Sequence, residues 1–195
     1  MEPARISIPL FPLGTVLFPG GALPLKVFEV RYQEMTKRCL RDGTPFGVCR
    51  IREGNEVGDP AVPVAIGCTA RIAEWEIPHP NLFHLRAIGE HRFRILTTEV
   101  AQHGLLTCEA ELLPEPAEPV APDPGCRRLL ERLIERYGAN AFPEPPALDD
   151  GSWVTYRLAE VLPMTADARQ TLLETDDPAA RMSIVQRVLA EAGVA

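Results

Sequence analysis

The chain has 195 residues, 46% hydrophobic and 24% charged, an ordinary globular composition with enough material for a substantial core. A net charge of −7 makes nucleic acid, which must be held through many phosphate contacts, a poor default ligand. No apolar run approaches the roughly 20 residues of a membrane span, and the start lacks a basic stretch followed by an apolar one, so the reading is a cytoplasmic protein with no membrane partner.

The segment from Ile6 to Val30 is strongly apolar yet broken by Pro9, Pro12, Gly14, Pro19, Gly20, Gly21 and Pro24, so it cannot be one regular element. It reads as two short strands and a tight turn, mostly buried, with Phe18–Leu23 the part expected to face solvent. Phe28, Tyr32, Met35 and Cys39 then recur at helical spacing, and Asp42-Gly43 ends that helix. Period-two patterns follow: Val64, Ile66, Cys68, Ala70 and Ile72 share one face before the phase flips to Trp75 and Ile77, which predicts a bulge near Ala73. Further short strands carry Phe83, Leu85 and Ala87, then Phe93 and Ile95, then Leu106, Cys108, Ala110 and Leu112. Short strands separated by turn residues suggest a small barrel.

Five prolines between Pro114 and Pro124 mark a boundary. Residues 1–113 hold 12 basic and 13 acidic side chains, net −1, whereas residues 114–195 hold 8 and 14, net −6. The expected organisation is a β-barrel subdomain (1–113), a Pro-rich linker (114–124) and a helical bundle (125–195), an α+β chain whose small halves dock and unfold together. In the second half Leu129, Leu130, Leu133, Ile134 and Tyr137 form a helical face stopped by Gly138. Ser152, Thr165 and Asp177 are read as caps of three more helices, the last with Pro178 in its first turn.

The residues offer little catalytic chemistry. Only three serines occur (Ser7, Ser152, Ser183), with no G-x-S-x-G elbow, and only two lysines (Lys26, Lys37), neither in a phosphate-cradling loop. His79, His84, His91 and His103 have no metal-ligand spacing. Cys39, Cys49, Cys68, Cys108 and Cys126 are an odd number without a C-x-x-C pair and read as buried thiols. Glu29 and Arg31 read as a structural pair at the helix start rather than an acid/base set. No catalytic residue, metal or cofactor is expected.

The stretch IPLFPL-x-x-V-LFPGG-x-LPLKVFE-x-RY (residues 8–32), FGV (46–48), IGC-x-A-x-I (66–72) and G-x-x-RFRI (89–95, with Arg92 and Phe93) closely resembles the N-terminal domain family of Lon-type ATP-dependent proteases. The resemblance is strong from Ile6 to Leu113 and continues more weakly to Arg181. It implies a PUA-like β pseudo-barrel with one inserted helix, then a small C-terminal helical bundle. It also implies a role in recognising protein substrates, in a stand-alone form without the ATPase and Ser-Lys peptidase of full-length relatives. One departure is Ile77-Pro-His-Pro-Asn81, where the family usually has a glycine-containing hairpin.

Three functions compete. A non-catalytic module that binds unfolded or extended polypeptide, acting as an adaptor in protein quality control or docking on a full-length Lon-type protease, ranks first. An RNA-binding PUA-like domain would use Arg86, Arg92 and Arg94 as a basic stripe. A peptidase-associated enzyme ranks last for want of motifs. The expected polypeptide site is Phe18, Leu23, Tyr32 and Met35, where the Phe18–Leu23 turn and the basic helix would meet the acidic half. Glu29, Arg31, Arg92 and Phe93 are its structural motif.

Overall fold

The proline-broken start of the chain forms two strands, and each tolerates its prolines because its edges are only partly used. In the computed structural model, which describes residues 3–116, 120–138 and 141–193, β1 (Arg5–Leu13) pairs antiparallel with β7 (Leu106–Leu112) over its first half and parallel with β3 (Phe46–Glu53) over its second. Each half therefore has one ladder partner, and Pro9 and Pro12 cost no shared bond on the open side. Every residue from Ile8 to Leu13 is nevertheless buried. Ile8 and Leu10 enter one core cluster with Phe93, Cys108 and Ala110, while Phe11 and Leu13 face a second with Tyr32, Met35 and Phe46.

The remaining strands are β2 (Ala22–Val27), β4 (Val62–Pro63), β5 (Ile66–His79) and β6 (Leu82–Val100). The order β1-β7-β6-β5-β3, with β1 and β3 also paired, closes a ring of strands; β4 lies beyond β3 and β2 pairs with β6. The ring is no regular barrel, because β6 gives its first half to β2 and its second half to β7. β6 is one strand of 19 residues, where the sequence reads two short ones, one with Phe83, Leu85 and Ala87 and one with Phe93 and Ile95. Gly89 lies mid-strand because another segment needs the space. The Gly20 N–H donates to the Gly89 carbonyl at 2.8 Å, and the Gly89 N–H to the Gly21 carbonyl at 2.9 Å. A Cβ at Gly89 would come within 2.3 Å of the Phe18 carbonyl oxygen.

Other sequence-level expectations fare unevenly. The register of β5 on β6 slips between Ile72 and Glu74, so Ala73 is the bulge that the phase flip predicts. Helix α1 (Val30–Asp42) ends at Gly43 in the left-handed conformation, φ 65°, but Phe28 precedes it and is 55% exposed rather than on its buried face. The β5–β6 turn passes from His79 to Leu82 through Pro80-Asn81, and Asn81, at φ 64°, takes the left-handed position that a glycine would otherwise hold. Beyond Ala70, β5 has lost β3 and among the described strands pairs with β6 alone, as a hairpin arm with Trp75 and Ile77 half-exposed, and Gln33 of α1 donates to the Asn81 carbonyl in its turn at 3.0 Å.

The chain divides into two compact units, Met1–Leu113 and Pro114–Ala195. The second contains α2 (Pro124–Tyr137), α3 (Gly151–Val161), α4 (Ala166–Glu174) and α5 (Pro178–Glu191), with Leu130, Val154, Leu158, Leu172 and Val185 buried. Thr165 and Asp177 cap α4 and α5, but α3 is capped by Asp150, whose carboxylate accepts from the Ser152 N–H; Ser152 itself lies inside the helix. Glu115 and Val120 of the Pro-rich stretch both contact this unit. Glu115 pairs with the fully buried Arg181 at 3.1 Å, and the Val120 carbonyl accepts from the Gly151 N–H at 2.7 Å. Among the described residues no helix is long and apolar enough to cross a membrane.

Candidate polypeptide-binding groove

An open groove of about 360 Å³ lies in the first unit. Phe11, Leu13 and Thr15 line it from β1 and the residues after it, Leu23 to Val27 from β2, Phe28, Glu29 and Tyr32 from the start of α1, and Glu56 and Val57 from the loop after β3. Phe28 and Val57, 55% and 57% exposed, are the large apolar side chains of its lining that reach solvent.

Tyr32 is held by two neighbours. Its ring stacks on Phe11 with centroids 4.0 Å apart, and the Arg31 guanidinium sits 4.7 Å over it. Arg31 is in turn held by Glu29 at 2.9 Å and donates to the Gly104 carbonyl at 3.4 Å. Burial pushes the Tyr32 phenol above its ordinary pKa; Arg31 opposes this, and the carboxylates of Glu29 and Glu56 add to it. The phenol therefore stays protonated, with a hydroxyl that can both donate and accept. No group among the described residues hydrogen-bonds it. The Glu56 carboxylate accepts from the Gly14 N–H at 2.6 Å and meets no cation among the described residues.

This arrangement corrects the expected site. Leu23 and Tyr32 line the groove, but Phe18 and Met35 are each 1% exposed. Phe18 is core because its turn folds down onto Gly89, so a Gly/Pro-rich segment that looks like surface is pinned by two backbone bonds. Met35 sits on the inner face of α1 with Tyr32 and Cys39. Of the structural motif, Glu29 and Arg31 frame Tyr32, while Arg92 and Phe93 are fully buried on β6, away from the groove lining. The basic stripe fails as well: Arg86, Arg92 and Arg94 lie on one strand, Arg92 is buried, Arg86 pairs with Glu74 and Arg94 with Glu111, both at 3.1 Å. Phe11, Leu13, Glu56 and Val57 went unread in the sequence. Only Val57, a lone apolar residue in a polar loop, gave a local signal.

The second unit has its own apolar hollow, about 570 Å³, lined by Leu129, Leu133, Tyr137, Ala141, Phe142, Val161 and Leu162. The five cysteines are buried free thiols, and burial raises those of Cys39, Cys49, Cys108 and Cys126, which suits packing rather than nucleophilic chemistry. Among the described residues no three His, Cys, Asp or Glu side chains are placed to hold a metal.

Residues 7–191 match the model of the ATP-dependent protease La (LON) substrate-binding domain. The chain belongs to the Lon substrate-binding domain family. Its Lon relatives include Lon protease 2 of Myxococcus xanthus, 28% identical over 93% of this chain and 23% of the relative, and a Lon protease of Methylocella silvestris, 26% identical over 98% and 25%. The chain thus spans about a quarter of the length of these Lon proteases. The crystal structure of a Lon N-terminal domain protein from Xanthomonas campestris superposes with a TM-score of 0.77 at 34% identity, covering 93% of this chain and 98% of that one. The N-terminal domain of the Mycobacterium avium complex Lon protease shares the fold, with a TM-score of 0.67 at 16% identity over 95% and 98%. The Lon-domain fold expected from the motifs is therefore the one observed.

Proposed function

We propose that this Lon-family domain is a non-catalytic recognition module that holds extended or unfolded polypeptide in the groove between β1, β2 and the start of α1, for presentation to a Lon-type protease. The observation that carries this reading is the groove's lining: an apolar floor of Phe11, Leu13 and Leu25, with Phe28 and Val57 open to solvent at its sides. Protein partners are bound through such mixed surfaces, in which a few aromatic or aliphatic side chains dominate the energy. RNA fits less well, because two of the three arginines proposed for it are committed to carboxylates and the third is buried.

The test is fluorescence anisotropy with labelled casein. Both Phe28 and Val57 are more than half exposed, so Phe28→Asp with Val57→Asp should leave the melting temperature within a few degrees. Loss of two apolar contacts of about 1 to 2 kcal/mol each weakens casein binding roughly tenfold or more. Unaltered casein affinity in the folded double variant would move the site elsewhere.

A further inference from the structure

The five consecutive residues Leu23 to Val27 line the groove. A hollow against the face of a strand touches alternate residues, since successive side chains point to opposite sides. Contact with five in a row means that this hollow runs along the edge of β2. β1 and its extension, in contrast, contribute Phe11, Leu13 and Thr15, every second residue, and so lend a face. Among the described residues β2 pairs with β6 alone, so the edge turned to the groove carries no ladder bonds. Pro24, which lacks an N–H, is admitted on such an edge strand, and it leaves the carbonyls and the other N–H groups of that edge to a partner.

A charge stands beside this edge. Glu56 lines the groove with no cation paired to it, and near it stands Tyr32, 6% exposed, whose hydroxyl has no hydrogen-bond partner among the described residues. Lys26 is the cation of β2, and Arg31 is taken by Glu29. The groove thus offers a row of backbone groups, an apolar floor, one carboxylate, the Lys26 ammonium and one phenol oxygen.

We propose that the occupant is an extended polypeptide segment that adds as a strand to the free edge of β2, seats an apolar side chain on Phe11 and Leu13, and sets a lysine or arginine beside Glu56 and the Tyr32 hydroxyl. This deepens, and rests on, the polypeptide-binding reading of the groove. Strand addition supplies affinity through main-chain bonds that any sequence can make, and the pockets beside the edge supply choice. Six residues of β2 at about 3.3 Å each give an edge of roughly 20 Å, room for a strand of five or six residues.

The probes are capped heptapeptides of alternating valine and threonine with a central lysine, a norleucine twin, and a lysine twin N-methylated at alternate residues. They are titrated into the full chain, with amide shifts of Ala22–Val27 followed by NMR and casein binding measured alongside. The lysine peptide should bind, shift those amides, and lose binding on N-methylation, because a methylated amide cannot join a ladder. The norleucine twin should bind two- to fivefold more weakly, the span of a solvent-exposed ion pair, and Glu56→Gln should erase that difference. Glutamine can still accept from Gly14, so the loop keeps its anchor. Equal binding of the methylated peptide, shifts confined to residues outside β2, self-association at that edge in place of peptide binding, or no binding by any heptapeptide overturns strand addition. A lysine preference that survives Glu56→Gln overturns the charge assignment. Casein binding that persists through these failures leaves the recognition reading standing, whereas unaltered casein affinity in the folded Phe28 and Val57 double variant removes the groove reading itself.

Discussion

Gly89→Ala should be among the most damaging small substitutions in the first unit, and the structure sets its size. Gly89 does not have a left-handed backbone, so the cost is not conformational; it comes from close approach. The new methyl would lie 2.3 Å from the Phe18 carbonyl oxygen and 3.1 Å from the Cys68 Sγ, and the oxygen belongs to backbone that cannot swing aside. Relief needs a shift of about 1 Å, which strains or breaks the two bonds tying Gly89 to Gly20 and Gly21. At about 1 kcal/mol per bond, with 1 to 3 kcal/mol for overpacking and up to about 1 kcal/mol regained from a less flexible unfolded chain, the net loss is about 2 to 5 kcal/mol. For a chain of this length that lowers the melting temperature by roughly 4 to 20 °C, measured by calorimetry or circular dichroism. Gly43→Ala is the comparator. A Cβ there meets nothing within 4 Å, so only the left-handed backbone is penalised, at about 1 to 2 kcal/mol. A Gly89→Ala protein melting within 2 °C of the parent would show that the turn is not clamped on β6 as described.

Phe18→Ala should destabilise by about 3 to 5 kcal/mol in chemical denaturation, because the ring is 1% exposed; a variant with unchanged stability would return Phe18 to the surface. Incubation with ATP and casein should give neither phosphate release nor fragments, and protein-dependent turnover of either would end the non-catalytic reading. Burial raises the Cys108 and Cys126 thiols from 9.0 to about 11. Between those values the unfolded chain has lost protons that the folded chain keeps, so stability falls as pH rises through that window, by on the order of 2 kcal/mol per thiol. Denaturation midpoints that stay level from pH 8 to 10.5 would contradict this.

Much of the fold was legible because local chemistry decided it. The phase flip at Ala73 has one cheap backbone solution, a bulge, and Thr165 and Asp177 stand where their helices begin. Ser152 misled because two capping residues lie two positions apart, and the choice of Asp150 depends on where the preceding chain enters. The groove was harder. Phe18 and Leu23 sit in the same turn-like segment, and nothing local tells which of them Gly89 will cover. Glu56 and Val57 reach the groove only through a loop whose course no periodicity encodes. Tyr32 was found because the helix pattern points it inward, but its role as wall rather than floor came from its neighbours Arg31 and Phe11.

The hairpin arm of β5 bears on how the protein behaves in concentrated solution. Past Ala70 its outer edge has no strand beside it among the described residues, and Trp75 and Ile77 stand half-exposed next to that edge. Such an edge is a template for zipping molecules together. Here Glu74 and Glu76 flank Trp75, and Pro78 interrupts the row of donors before the turn. A second molecule laying its own arm alongside would meet a charged row, Glu74 paired with Arg86 at 3.1 Å and Glu76 with His84 at 3.0 Å, which a strand edge uses to discourage pairing. That charged guard weakens as salt rises: near 1 M, where charges are screened beyond about 3 Å, its ion pairs loosen while the exposed tryptophan remains.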